Sequence, residues 1–254
     1  MEERKLNIKI GVIGGSGFEE AFEGDKIKVK TPYGEVNLKI GVFGDREVAF
    51  IHRHGEKHEI PPHRVNYRGN IWALKEIGVE RIIATNAVGG IRESISPGDI
   101  LIPHDFIDFT KSRIGTFYND EAIHVDVSEP YCPEIRRIIL ECIKGVNIRV
   151  WDKGVYVCTE GPRFETPSEI RMFRLLGADV VGMTGVPEVV LARELKMCYA
   201  SICIVTNYAA GLQKRVTQEE VNKIMRKRVD VVLSIMKNVI QRIPIERKKC
   251  ECGL

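Results

Sequence analysis

Long apolar runs are absent from this chain. No stretch approaches the roughly 18 consecutive apolar residues of a membrane-crossing helix, and residues 1–9 are charged and lack the apolar core of a secretory leader. A soluble, cytoplasmic protein is the expectation. Charge of one sign is equally scarce. Against 38 Lys and Arg stand 35 Asp and Glu, and a net +3 is too small to point to nucleic acid or an acidic membrane surface as partner. No Pro/Gly/Ser-rich linker and no internal repeat divides the 254 residues, of which 44% are hydrophobic, enough for one large α/β domain or two small ones. The seven cysteines are an odd number and cannot all pair within one chain. Cys142, Cys158, Cys198 and Cys203 lie in or beside apolar segments and read as small buried hydrophobes. Cys250 and Cys252 sit one residue apart in a charged tail, about 244–254, either as exposed thiols or as a C-x-C pair closing a strained, easily reduced disulfide. No second Cys or His pair has matching ligand spacing, which argues against zinc.

What is present is alternation of strand-like and helix-like segments. Strands are expected at 7–14, 81–85, 99–109, 148–158, 179–183 and 198–206, with a hairpin of 35–42 and 47–52 turning at Gly44-Asp45. Helices are expected at 63–78, 133–144, 167–176, from Pro187, and from Thr217 to about Arg242, the last opened by a Thr217–Glu220 capping box. This order predicts a single α/β domain with a central, parallel or mixed sheet flanked by helices and ligands at the carboxyl ends of its strands.

The motifs with chemical content fall at those strand ends. Gly14-Gly15-Ser16-Gly17 lets the backbone approach an anion, with the Ser16 hydroxyl as donor, and equally suits a plain tight turn. It has neither G-x-G-x-x-G spacing nor a following Gly-Lys-Ser/Thr, which excludes the dinucleotide fingerprint and the P-loop. In His52-Arg53-His54-Gly55-Glu56-Lys57-His58, the Arg53 fork suits a phosphate and His54 adds a donor; a solvated strand end is the bland reading. Thr85-Asn86-Ala87-Val88-Gly89-Gly90 is a strand running into small residues, able to aim the Ala87 amide at an anion or simply to pack closely. Phe164 can stack on a flat base and Glu165 accept a ring N–H, or both can serve the start of a helix. Met183 and Thr184 bring an apolar chain and a hydroxyl to another strand end, and Asn207 an amide to a third, where core packing and turn capping are the alternatives.

In order, GGSGF, HRHGEKH, VNYRGNIWALKE, TNAVGG, PGDI, YVCTEGPRFET, GMTGVPEVVLARE and TNYAAG resemble the trimeric purine nucleoside phosphorylase and methylthioadenosine phosphorylase family over nearly the whole chain. The resemblance implies a phosphate site at Ser16, Arg53, His54, Asn86–Ala87 and Thr184, ribose-side positions at Met183 and Tyr156, and base-binding positions at Phe164, Glu165 and Asn207 with the adjoining Tyr208 and Ala209. It places His124 where one branch reaches across a subunit boundary to the 5′ substituent, and implies a homotrimer with no cofactor and no metal, phosphate being a substrate. A 6-oxopurine shows N1–H as donor, which matches the Glu165 carboxylate; adenine N1 is an acceptor and is repelled. The adenine-cleaving branch resembles Thr-Asp-Tyr-Asp where this chain has Thr206-Asn207-Tyr208-Ala209, so Ala209 leaves vacant the place of a second carboxylate. These features favour a 6-oxopurine nucleoside, with methylthioadenosine as the rival substrate and a nucleoside binder without turnover as the rival of another class. Gln218 stands where the 6-oxopurine branch resembles a His that bonds the 5′-hydroxyl, which brings 5′-methylthioinosine forward beside inosine and guanosine.

Overall fold

The computed structural model describes residues 8–18 and 22–253. The first expected strand is β1, Ile10–Gly14, and its five residues are all buried; position 7 of that expectation, most of the charged start and the last residue of the tail lie outside the described residues. Burial on both faces suits an uninterrupted apolar run between parallel neighbours. These are β4, Arg46–His52, and β5, Arg81–Gly90. The hairpin forms as expected between β3, Gly34–Phe43, and β4, with Gly44 at φ 75°, a conformation glycine takes without strain. An outer strand, β2, Asp25–Thr31, was not anticipated, although Ile27 and Val29 alternate with lysines.

Several expected elements divide. The 63–78 helix becomes a short turn at Pro62–Arg64 followed by α1, Tyr67–Glu76, because the Asn66 side chain accepts a hydrogen bond from the Gly69 amide and starts the helix there. The strand at 81–85 runs on to Gly90, whereas 99–109 splits into β6, Ile100–Leu101, and β7, Asp105–Phe109, around Pro103, which has no N–H for a ladder. The 148–158 segment splits into β8, Val150–Trp151, and β9, Val155–Thr159, around Gly154, where a Cβ would stand 2.5 Å from the Leu101 side chain. The remaining elements lie close to expectation: α2 Pro133–Ile143, α3 Pro167–Leu175, β10 Val180–Gly182, α4 Glu188–Glu194, β11 Cys198–Tyr208 and α5 Gln218–Arg242.

Among the described residues, eleven strands form one mixed sheet in the order β2-β3-β4-β1-β5-β10-β9-β7, with β11 against β5, β6 against β11 and β8 against β6. Helices α1 and α4 pack over one face, and α2 and α5 over the other, each above its own apolar cluster. This is the expected single α/β domain. No helix among the described residues is long and apolar enough to cross a membrane.

Candidate active site

A cleft of about 490 Å³ opens where β5 has lost one neighbour and not yet gained the next. β1 pairs with β5 only from Arg81 to Ala84, and antiparallel β10 joins it only at Gly89 and Gly90. Between them, one edge of β5 faces the cleft. Backbone groups of alternate residues point to the same side of a strand. The Thr85 carbonyl accepts a 2.8 Å bond from Arg53 Nη1 on this edge, so Ala87, two residues on, turns its amide the same way.

Five of the residues expected to hold phosphate line the cleft: Ser16, Arg53, His54, Ala87 and Thr184. Gly15 has to be glycine, since a Cβ there would meet the Thr85 carbonyl at 2.7 Å and Arg53 Nη1 at 3.0 Å. Arg53 is 1% exposed and held by Glu188: Nε donates to Oε2 at 2.8 Å and Nη2 to Oε1 at 2.7 Å. A guanidinium has five N–H groups. These three bonds leave one on Nη1 and one on Nη2, the fork an oxyanion takes. Burial works against the charge on Arg53, but Glu188 more than offsets it and the net shift is upward, so Arg53 stays cationic. Nδ1 of His54 donates to the Ile60 carbonyl at 2.8 Å, so Nε2 donates to an anion only in the imidazolium form. Asn86 stands behind the lining: its Nδ2 donates to Thr184 Oγ1 at 2.9 Å, and its Oδ1 accepts from Ser201 Oγ at 2.6 Å.

Phe164, Glu165, Met183 and Asn207 line the same cleft. Glu165 sits just before the Thr166–Glu169 capping box of α3, which fixes where that helix begins. Its Oε1 accepts from the Thr159 hydroxyl at 2.7 Å, and burial raises its pKa above the usual carboxylate value. Asn207 reaches the cleft through a bulge. Val205 pairs with Val88 and Asn207 with Gly89, so Thr206 is the extra residue, and a bulge of this kind re-aims the side chains beside it. Thr206 Oγ1 donates to Asn207 Oδ1 at 2.8 Å, and Asn207 Nδ2 donates to the Tyr208 carbonyl at 2.8 Å. One N–H of the amide and further acceptor capacity on its oxygen are left for a ligand.

Four expected residues lie elsewhere. Tyr156 is 1% exposed beneath the lining, where its hydroxyl accepts from the Thr184 and Gly185 amides at 3.2 Å each, so it supports Thr184 instead of facing a sugar. Ala209 is not beside a vacancy: it packs among Ile91, Val157, Ile170, Phe173 and Val181. Tyr208 turns its hydroxyl to Ser96 Oγ at 3.2 Å. His124 is exposed and away from the cleft of its own chain. Gln218, the first residue of α5, does border the cleft, with Nε2 donating to Asn222 Oδ1 at 3.0 Å. The Thr217 cap accepts from the Glu220 amide, but the expected capping box is half made, since the Glu220 carboxylate takes Gln213 Nε2 at 2.6 Å.

Sequence reasoning missed Glu188, Thr159 and Thr206, and also Tyr199, whose hydroxyl donates to Glu188 Oε1 at 2.6 Å. Glu188 carried a signal: an acidic residue inside the otherwise apolar stretch from Gly185 to Ala192 is 0% exposed and needs a cationic partner.

A family model described as the phosphorylase superfamily matches residues 9–241. A protein of Methanopyrus kandleri named a probable S-methyl-5'-thioinosine phosphorylase is 51% identical over 96% of both chains. A Pyrococcus furiosus protein named S-methyl-5'-thioadenosine phosphorylase is 53% identical, again over 96% of both. In structure, the methylthioadenosine phosphorylase of Schistosoma mansoni, solved with adenine, superposes with a TM-score of 0.89 at 35% identity, covering 95% of this chain and 93% of its own. On this match, and on a cleft built at the strand ends of the same mixed sheet, the chain belongs to the phosphorylase superfamily.

Proposed function

We propose that this enzyme splits 6-oxopurine nucleosides, 5′-methylthioinosine and inosine or guanosine, by phosphorolysis, releasing the free base and the ribose 1-phosphate. The observation that carries the choice of base is the presence of both a carboxylate, Glu165, and an amide, Asn207, in the lining of the one cleft. Relatives of nearly equal identity are named for hypoxanthine and for adenine nucleosides, so overall similarity does not select between the two bases and the lining residues have to.

The physical task is displacement at C1′. As the glycosidic bond stretches, positive charge grows on the ribose and negative charge on the purine. Phosphate beneath C1′ stabilises that cation and then bonds to it, which makes positioning of the anion the main work of the protein. The two spare N–H groups of Arg53, the hydroxyls of Ser16 and Thr184, the Ala87 amide and His54 as imidazolium supply that cradle. The Glu165 carboxylate accepts N1–H, and the Asn207 amide bonds the purine at O6 or N7. Met183 lies against the sugar and Phe164 against the base, and the chemistry calls on no cofactor. The enzyme works as a cytoplasmic homotrimer in which His124, exposed and not part of its own cleft's lining, serves a neighbouring subunit.

Initial rates for inosine, guanosine, methylthioinosine, adenosine and methylthioadenosine, with and without phosphate, test the reading. Each mismatched hydrogen bond strands a buried polar group at about 1–3 kcal/mol, so 6-oxopurine substrates are expected to lead by tenfold or more, and only with phosphate present. A preference for methylthioadenosine over both inosine and methylthioinosine would hand the site to the adenine reading.

A further inference from the structure

The tail does not stand apart from the molecule. Cys250 and Cys252 return to the far end of the sheet and meet Cys132, the residue before α2, and Cys198, the first residue of β11. All four Sγ atoms lie within 4.8 Å of one another, with Cys198 and Cys250 at 3.5 Å. Cys132 and Cys198 are 0% exposed and Cys252 3%. The expectation against zinc rested on a missing second C-x-C-like pair, but here the other two sulfurs come from single cysteines 66 residues apart in sequence, which only the fold brings together.

We propose that Cys132, Cys198, Cys250 and Cys252 form a tetrathiolate site for a structural zinc ion that clips the C-terminal tail to the start of β11. Sulfurs at the corners of a tetrahedron around zinc, each about 2.3 Å from the metal, stand about 3.8 Å from one another. Four sulfurs mutually within 4.8 Å are already near that figure. Arg81 indicates the charge state. Its side chain is fully buried, its Nη1 donates to Cys198 Sγ at 3.1 Å and to Cys250 Sγ at 3.7 Å, and its Nε and Nη2 have no hydrogen-bond partner. Among the described residues, Glu134, at 2.9 Å, is the one carboxylate bonded to it. A buried guanidinium turned on sulfur favours thiolate, which a metal retains and a disulfide does not. From the all-thiol state, binding replaces four S–H bonds by four Zn–S bonds and releases four protons, one fewer for each sulfur already ionised; no electrons move. The site lies at the opposite end of β11 from Asn207, roughly 30 Å away at about 3.3 Å per residue, so it is structural and takes no part in phosphorolysis.

Elemental analysis of untagged protein purified without chelator tests this, alongside a zinc-indicator dye that reports metal released when a mercurial titrates the thiols. One zinc per chain is expected, with cobalt(II) replacing it to give the thiolate charge-transfer and visible bands of a tetrahedral sulfur site. C250S/C252S is expected to lose the metal, to keep its phosphorolysis rate at moderate temperature, and to melt about 5 °C or more below the parent. Should that variant fail to fold, the dye assay on the parent and the single variant Cys252→Ser decide. A metal-free protein whose non-reduced mass shows two disulfides overturns the proposal. So does a protein with four alkylatable thiols that takes up no zinc under anaerobic, reducing conditions.

Discussion

At the scale of single residues, the proposed phosphate cradle depends on a residue that no ligand would touch. Glu188 holds two of the three nitrogens of Arg53 from 135 positions away in sequence, while Tyr199 holds Glu188. The cleft residues themselves were legible because each sits in a short motif at a strand end. Their supports were not, since a bond such as Thr159 to Glu165 or Asn86 to Thr184 is decided by the three-dimensional path of the chain. Arg53→Ala removes the fork and is expected to raise the phosphate KM steeply. Glu188→Gln leaves the fork in place but lets it swing, and should raise the phosphate KM about tenfold with a much smaller effect on the nucleoside KM. It also withdraws the charge partner of a buried cation, a change that costs about 3–5 kcal/mol. Steady-state kinetics with phosphate and nucleoside varied separately, together with urea unfolding, read both effects. Equal rises in the two KM values would show that Glu188 supports the fold in general and not the anion cradle.

Individual elements show where periodicity serves and where it fails. Strand β11 and the amphipathic helices α2, α3 and α5 lie within a residue or two of where spacing puts them, whereas β5 runs five residues past its expected end. Spacing misjudged the places where one side chain or one proline overrides it: Asn66 capping α1, Pro103 between β6 and β7, and the bulge at Thr206. The bulge matters most, because it brings Asn207 to the cleft lining while leaving Ala209 in an apolar cluster. A design that copies both carboxylates of the adenine branch therefore treats two unlike places as one. Asn207→Asp alone is expected to move the ratio of kcat/KM for inosine over adenosine towards adenosine by tenfold or more. Adding Ala209→Asp places a carboxylate among Ile91, Phe173 and Val181, with an expected stability loss of about 1–3 kcal/mol and little further gain in adenosine cleavage. Rates for both substrates and unfolding midpoints for the three proteins check this. A double variant as stable as the parent would mean that the place of Ala209 is polar after all.

On the scale of the whole molecule, the proposed function puts the sugar's 5′ end beside Gln218, at one side of the cleft. Gln218 borders that region but is exposed and already bonded to Asn222. The segment after β7 that carries His124 runs without regular structure over the surface, and it exposes Ile114 at 53% and Ile123 at 49%. A second subunit seated there would cover both side chains and gain about 25 cal/mol for each Å² of apolar surface removed from water. It would also bring His124 of one chain within reach of the next chain's open cleft. A trimer closes such head-to-tail contacts into a ring, whereas a two-fold dimer would exchange the segment reciprocally between two clefts, so the mass in solution distinguishes them. Sedimentation equilibrium is expected to give three times the chain mass. His124→Ala is expected to leave that mass and the phosphate KM unchanged while raising the nucleoside KM several-fold, because only contacts at the far end of the sugar are lost. An active monomer would remove the shared site, and a trimer in which His124→Ala alters nothing would keep the assembly but take the 5′ end away from His124.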